Sequence, residues 1–112
     1  IKNKNEFNLN DKFLIFSGIG NNNSFKEILI KNDFNIVEEM IFPDHFDYKA
    51  FDIIKILKNA ENKNIKIITT EKDYVKIPVN LREKINFIKI DLEILDQKKL
   101  TGLIESKINE IN

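Results

Sequence analysis

The chain has 112 residues, 42% of them hydrophobic and nine of them Phe, which is enough for one domain with a real core and too little for two. Eighteen basic residues balance 18 acidic ones, so the formal charge is zero, which argues against a nucleic-acid module driven by phosphate neutralisation. There is no Cys and His45 is the only His, which excludes disulfides, thiolate catalysis, Cys-ligated zinc and any multi-His metal site.

Arg82 is the only arginine, and the wealth of Lys, Asn and Ile has a bland source in the codons of an AT-rich genome. No apolar run approaches the ~20 residues of a membrane-spanning helix. Ile1 is not a natural initiator and the only Met is Met40, so the chain reads as a piece of something longer.

Residues 1–11 read as a polar tail or connector. Phe13-Leu14-Ile15-Phe16 is a short continuous apolar run closed by Ser17-Gly18, the pattern of a strand buried on both faces. Ser24-Phe25-Lys26-Glu27 has the form of a capping box, and Phe25, Ile28 and Leu29 predict a helix to about Lys31. A second strand runs from Asn35 to Phe42 and stops at Pro43. From about Tyr48 to Asn59 a helical face is predicted from Ala50, Ile54 and Leu57, with Ile53 and Ala60.

Ile65 to Ile68 is a third strand running into Thr69-Thr70. Thr70-Glu71-Lys72-Asp73 again has capping-box form and opens a short turn through Tyr74 and Val75. Phe87 to Ile90 is a fourth strand. Asp96 caps a last helix with Leu100, Leu103, Ile104, Ile108 and Ile111 on its apolar face.

This alternation predicts an α/β fold: a Rossmann-like parallel sheet of about four strands with helices on both faces, in three α/β/α layers. Ligands of such sheets bind beyond the C-terminal ends of the strands. Three loops fall there: Ser17 to Asn23, Pro43 to Asp47 and Thr69 to Asp73.

Singly, each loop has an ordinary explanation. Ser17-Gly18-Ile19-Gly20-Asn21 precedes a helix, but Asn23 stands where a third glycine would fall, so it reads as a tight turn rather than a phosphate cradle. His45 beside Asp44 could serve as acid, base or electrostatic partner, or be a solvated loop His beside a turn residue. Lys72 at a strand end can meet a phosphate, while the helix dipole alone accounts for Glu71 and Asp73 in a first turn.

Together and in this order, they resemble the C-terminal domain of the tetraacyldisaccharide 4′-kinase family. The residues that carry the resemblance are Gly18-Ile19-Gly20-Asn21 with Phe25, then Phe42-Pro43-Asp44-His45 with Tyr48, and then Thr69-Thr70-Glu71-Lys72-Asp73. Val75-Lys76-Ile77 and a late strand over Ile88 to Leu92 follow, so that the likeness covers about residues 12–95. Asn22 departs from the family, where Pro is usual and sets a helix start.

The resemblance implies a transferase. The family passes the γ-phosphate of ATP, with Mg²⁺, to the 4′-hydroxyl of a tetraacyldisaccharide 1-phosphate. The product is lipid IVA, in the lipid A and lipopolysaccharide pathway of Gram-negative bacteria. Residues 12–112 would then be the C-terminal α/β domain of a two-domain kinase.

Its partners would be an N-terminal P-loop kinase domain and the lipid A disaccharide precursor, with no nucleic acid. The whole enzyme would sit at the cytoplasmic face of the inner membrane, attached peripherally through its N-terminal part, whereas this fragment alone would be soluble and cytoplasmic. No Gly-Lys-Ser/Thr occurs here. The fragment is therefore expected to bind neither ATP nor metal and to be inactive alone, supplying one wall of the interdomain cleft.

The family places the His of its Phe-Pro-Asp-His motif near the catalytic Asp of the other domain. That role maps onto His45 as the catalytic candidate, with Asp44 holding the loop or the imidazole. Gly18, Gly20, Asn21, Thr70, Glu71, Lys72 and Asp73 are the cleft-lining candidates; Lys72 has as alternatives a phosphate or acidic partner and an ion pair with Glu71 or Asp44.

Two other readings compete. A non-catalytic α/β interaction module from a split or decayed kinase gene would need the core but not the three loops. A phospho-receiver domain needs an acidic cluster after the first strand and an Asp after the third, where Ser17-Gly18 and Thr69-Thr70 stand instead.

Overall fold

The structure, a computed structural model, describes residues 1–20 and 22–90. Its elements alternate in chain order: β1 (Lys12–Ser17), α1 (Asn22–Lys31), β2 (Asn35–Ile41), α2 (Ala50–Lys63), β3 (Lys66–Thr70), α3 (Glu71–Tyr74) and β4 (Ile85–Ile88). The four strands form one parallel sheet in the order β2-β1-β3-β4. The three-layer architecture expected from the alternation is therefore present.

Strand period decides which residue meets which helix, because successive side chains point to opposite faces. Phe13 and Ile15 of β1 face one way and form a core with Phe25 and Leu29 of α1, Phe34, Ile68 and Ile88. Leu14 and Phe16 face the other way and pack with Tyr48, with Ile53, Ile56 and Ala60 of α2, and with Ile67, Ile77 and Ile85. β1 is the central strand of two cores, which explains why its apolar run is continuous rather than alternating.

Several boundaries differ from those predicted. α1 begins at Asn22, so Ser24 lies inside its first turn rather than at its cap. The Ser17 hydroxyl bonds the Asn22 side-chain oxygen and ties the helix start back to β1. α2 starts later than predicted and runs on to Lys63, where Asn64 ends it in the left-handed conformation with φ 53°. Its buried stripe is Ile53, Ile56 and Ala60, with Ile54 40% exposed, so the side that meets the sheet is turned by about one residue from the predicted Ala50-Ile54-Leu57 face. β4 lies two residues earlier than Phe87 to Ile90, since Ile85 and Ile88 reach the two cores from opposite faces.

Residues 1–11, read as a polar tail or connector, lie against the sheet. Ile1, Phe7 and Leu9 pack on the Phe13 core. Asn3, 3% exposed, uses its side-chain amide as a strand would use its backbone, donating to Phe87 O at 2.9 Å and accepting from Lys89 N at 2.8 Å. Arg82 closes the far end of α3, donating to Ile77 O at 2.8 Å and Val75 O at 3.0 Å. The helix predicted from Asp96 to Ile111, and the end of the predicted late strand, lie outside the described residues.

Candidate functional site

The order β2-β1-β3-β4 contains one reversal of direction. From β1 the chain moves outward to β2, and from β3 it moves outward to β4. The loops leaving the C-terminal ends of β1 and β3 therefore part to opposite faces, and the crevice between them is where open parallel sheets bind ligands. All three loops singled out in the sequence meet at this end.

The first and second loops are joined through backbone. Phe42 N donates to Ser17 O at 2.9 Å, and His45 N donates to Gly18 O at 3.1 Å. Phe46 N donates to Pro43 O at 3.1 Å and closes a turn with His45 at its third position. His45 has φ 61°, a left-handed conformation that costs a residue with a Cβ about 1 kcal/mol and that His adopts more readily than most. Gly20 lies beside the same turn, since a Cβ on it would come 3.5 Å from Asp44 Oδ2.

The third loop joins the other two through one carboxylate. Thr70 caps α3, its hydroxyl accepting from Asp73 N at 3.0 Å as the predicted capping box requires. That fold-back turns the Asp73 side chain inward, where it is 1% exposed. Its Oδ2 accepts from the Thr70 hydroxyl at 2.5 Å. Its Oδ1 accepts from Gly18 N at 3.0 Å and from the Tyr48 hydroxyl at 2.9 Å. Three donors on a buried carboxylate supply the compensation that a dry charge needs.

Gly18 is a glycine for a packing reason. A Cβ there would meet Pro43 O at 3.0 Å, Asp73 Oδ1 at 3.3 Å and Phe46 Cβ at 3.3 Å. Tyr48 sits in a ring of aromatic edges, 5.3 Å from Phe42, 5.1 Å from Phe46 and 5.6 Å from Phe16. Burial first, and then the Asp73 carboxylate, hold its phenol well above the ordinary tyrosine value, so it stays protonated and donates. Thr69 completes the floor, its hydroxyl donating to Phe16 O at 2.8 Å and stitching β3 to β1.

The candidate residues thus divide by exposure. His45 and Asp44 stand at the rim, their side chains 74% and 50% exposed, with His45 Nε2 3.7 Å from Asp44 Oδ2. Gly20 and Glu71 are also exposed, and Lys72 is half-buried. Lys72 makes no ion pair among the described residues, neither with Glu71 nor with Asp44. Gly18, Thr70 and Asp73 are buried beneath the rim. Asn21 lies outside the described residues.

Tyr48 and Thr69 were not among the candidates, although both belong to the network. Two threonines at the end of a buried strand are the signal for hydroxyls needing partners inside. Tyr48 was marked only by its place in the family resemblance, with nothing local to show its burial.

Two hollows lie away from this edge. One of about 670 Å³ sits at the N-terminal ends of β3 and β4, with Ala60, Ile65 and Leu81 in its wall, and one of about 590 Å³ lies beside β4, with Phe87 and Arg82. Neither touches the three loops.

Comparison with known proteins bears on this arrangement. The profile of the family described as tetraacyldisaccharide-1-P 4′-kinase matches residues 1–109. A tetraacyldisaccharide 4′-kinase of Pelagibacter ubique (strain HTCC1062) is 41% identical over 110 residues, covering 98% of this chain and 35% of the relative. Proteins of the same name from Rickettsia canadensis (strain McKiel) and Cytophaga hutchinsonii are 35% and 33% identical, covering 96% and 88% of this chain and 33% and 30% of their own lengths. The chain spans about a third of the length of the curated relatives it matches, in their C-terminal part. No solved structure matches it significantly.

Proposed function

The chain belongs to the tetraacyldisaccharide-1-P 4′-kinase family, and we propose that it is the C-terminal domain of such a kinase and forms one wall of its interdomain cleft. Residues 12–112 make up this domain, and residues 1–11 lead into it from an N-terminal P-loop domain. The whole enzyme phosphorylates the 4′-hydroxyl of a tetraacyldisaccharide 1-phosphate with ATP, at the cytoplasmic face of the inner membrane of a Gram-negative cell. No helix among the described residues is long and apolar enough to cross a membrane, and membrane association is assigned to the N-terminal part.

The observation that carries this reading is the position of His45. Its side chain is 74% exposed, yet its backbone is held at both sides, by Gly18 O through its own N–H and by the Pro43–Phe46 turn. A solvated loop residue needs no such anchoring, whereas a group that must reach across a cleft does.

The described residues of the first loop suit a phosphate poorly. A phosphate cradle needs unspent backbone N–H groups, and the Gly18 N–H is spent on Asp73. The carboxylate beside it repels a second anion. No cluster of three or more His, Cys, Asp or Glu suited to a metal occurs among the described residues. ATP and Mg²⁺ are assigned to the N-terminal domain.

The work left to this wall is orientation. His45 offers a ring N–H to the catalytic carboxylate of the N-terminal domain, turning that carboxylate toward the sugar hydroxyl and tuning its affinity for the proton it takes. Asp44, at 3.7 Å from Nε2, steadies the imidazole. Lys72, half-buried and without an ion pair among the described residues, is available to an anionic group of the substrate or of the other domain.

The test is His45→Ala in the full-length kinase. Turnover should fall by about 10²-fold, the low end of general acid–base help, with KM for ATP unchanged. Unchanged turnover in a folded His45→Ala enzyme refutes the assignment.

A further inference from the structure

Asp73 raises a question that its capping role does not answer. A capping carboxylate in a first helical turn is ordinarily exposed, and the helix dipole accounts for it. Asp73 is 1% exposed instead, and two of its three side-chain donors come from far along the chain. Gly18 is 55 positions away and Tyr48 is 25. Burying a charge so deeply is costly unless each donor is held in place, so the arrangement trades solvation for a fixed geometry between three loops.

That geometry leads to one residue by two routes. On one side, Asp73 Oδ1 accepts from Gly18 N, and the Gly18 carbonyl accepts from His45 N at 3.1 Å. On the other side, Oδ1 accepts from the Tyr48 hydroxyl, and the Tyr48 ring packs edge-on against Phe42 and Phe46, which flank the His45 turn. Neither route passes through a long flexible side chain. The local Pro43–Phe46 turn sets the left-handed backbone of His45, and these two routes fix where that turn sits.

We propose that Asp73 is a positioning residue for the kinase reaction: its buried carboxylate clamps Gly18 and Tyr48 and thereby fixes where the 42–48 loop presents His45 to the other domain. The proposal rests on the reading of His45 given above. Asp73 touches no reacting atom and acts through His45, not on the substrate.

The experiment uses the full-length kinase with Asp73→Asn, Tyr48→Phe, His45→Ala and the two doubles that carry His45→Ala. Turnover, KM for ATP and hydrogen exchange of peptides covering residues 42–48 are measured on each. Asp73→Asn should lower kcat by about 10²-fold, the cost of displacing a group by ~1 Å, with KM for ATP unchanged. Tyr48→Phe, which keeps the carboxylate and removes one bond to it, should cost about tenfold. Exchange over 42–48 should rise in both. Each double should be no slower than His45→Ala alone, because residues acting as one unit are not additive.

A general loss of structure would multiply the two effects and raise KM, and that result overturns the proposal. So does full turnover in Asp73→Asn and Tyr48→Phe when His45→Ala is slow, and in that case the reading of His45 survives. If His45→Ala turns over normally, that reading falls and takes this one with it. Should Asp73→Asn fail to fold, Tyr48→Phe and its double decide by the same criteria.

Discussion

Replacing Gly18 by Ala adds one methyl group at the point where the three loops cross. The new Cβ would lie 3.0 Å from Pro43 O, 3.3 Å from Asp73 Oδ1 and 3.3 Å from Phe46 Cβ. Non-bonded carbon contacts prefer roughly 3.5–4.0 Å, and none of these three neighbours is the loose end of a flexible side chain. The carbonyl belongs to the His45 turn, and the carboxylate is held by three donors. No glycine in the described chain has positive φ, so alanine meets no backbone penalty and should gain about 0.4–1 kcal/mol from the stiffer unfolded chain. Overpacking costs about 1–3 kcal/mol. The net expectation is a loss of about 1.5 kcal/mol.

Gly20→Ala is the matched control, because its Cβ would find only Asp44 Oδ2 at an ordinary 3.5 Å. It should be neutral or slightly stabilising. Urea unfolding followed by circular dichroism reads both, with the midpoint falling for Gly18→Ala at unchanged m. A Gly18→Ala protein as stable as Gly20→Ala would refute the packing account of the crossing.

Tyr48 gives a pH prediction of definite sign. Burial and then Asp73 raise its phenol above the ordinary 10.0, so above about pH 10 the unfolded chain binds fewer protons than the folded one. Its contribution is complete below that pH and is lost as pH rises, at up to about 1.4 kcal/mol per pH unit; the urea midpoint of the wild type should fall more steeply between pH 9 and 11 than that of Tyr48→Phe. In the α1 core, Phe25 is fully buried, and Phe25→Ala should cost about 3–5 kcal/mol by urea titration, much of the stability of a domain this size. Ile30→Ala on the same helix, at 52% exposure, should change it by less than about 0.5 kcal/mol.

Much of the fold was legible because its signals are local. The continuous run Phe13 to Phe16 announced a strand buried on both faces, and it packs on both. Thr70 and Asp73 lie three residues apart, and their capping bond could be read from that spacing. Along α2 the stripes Ala50-Ile54-Leu57 and Ile53-Ile56-Ala60 overlap in sequence, and only packing against the sheet selects the second. The helix itself starts after Lys49, which is extended and whose N–H is taken by Asp52 at 2.9 Å.

What escaped the sequence was tertiary. Glu71 and Asp73 share a first turn and a charge, and the dipole explains both equally well. Only the meeting of Asp73 with Gly18 and Tyr48, across 55 and 25 positions, separates the exposed acid from the buried one. The clamp was invisible because no period or short motif encodes contacts of that span.

The reading of this chain as one wall of a kinase cleft is tested most directly by a structure of the full-length enzyme with its domains closed on ATP and lipid precursor. The account predicts a ring nitrogen of His45 about 2.6–3.2 Å from a carboxylate of the P-loop domain, within hydrogen-bond reach, with the Asp73 clamp intact beneath it. An imidazole left in solvent on the closed enzyme, with no carboxylate of the other domain in reach, would contradict it.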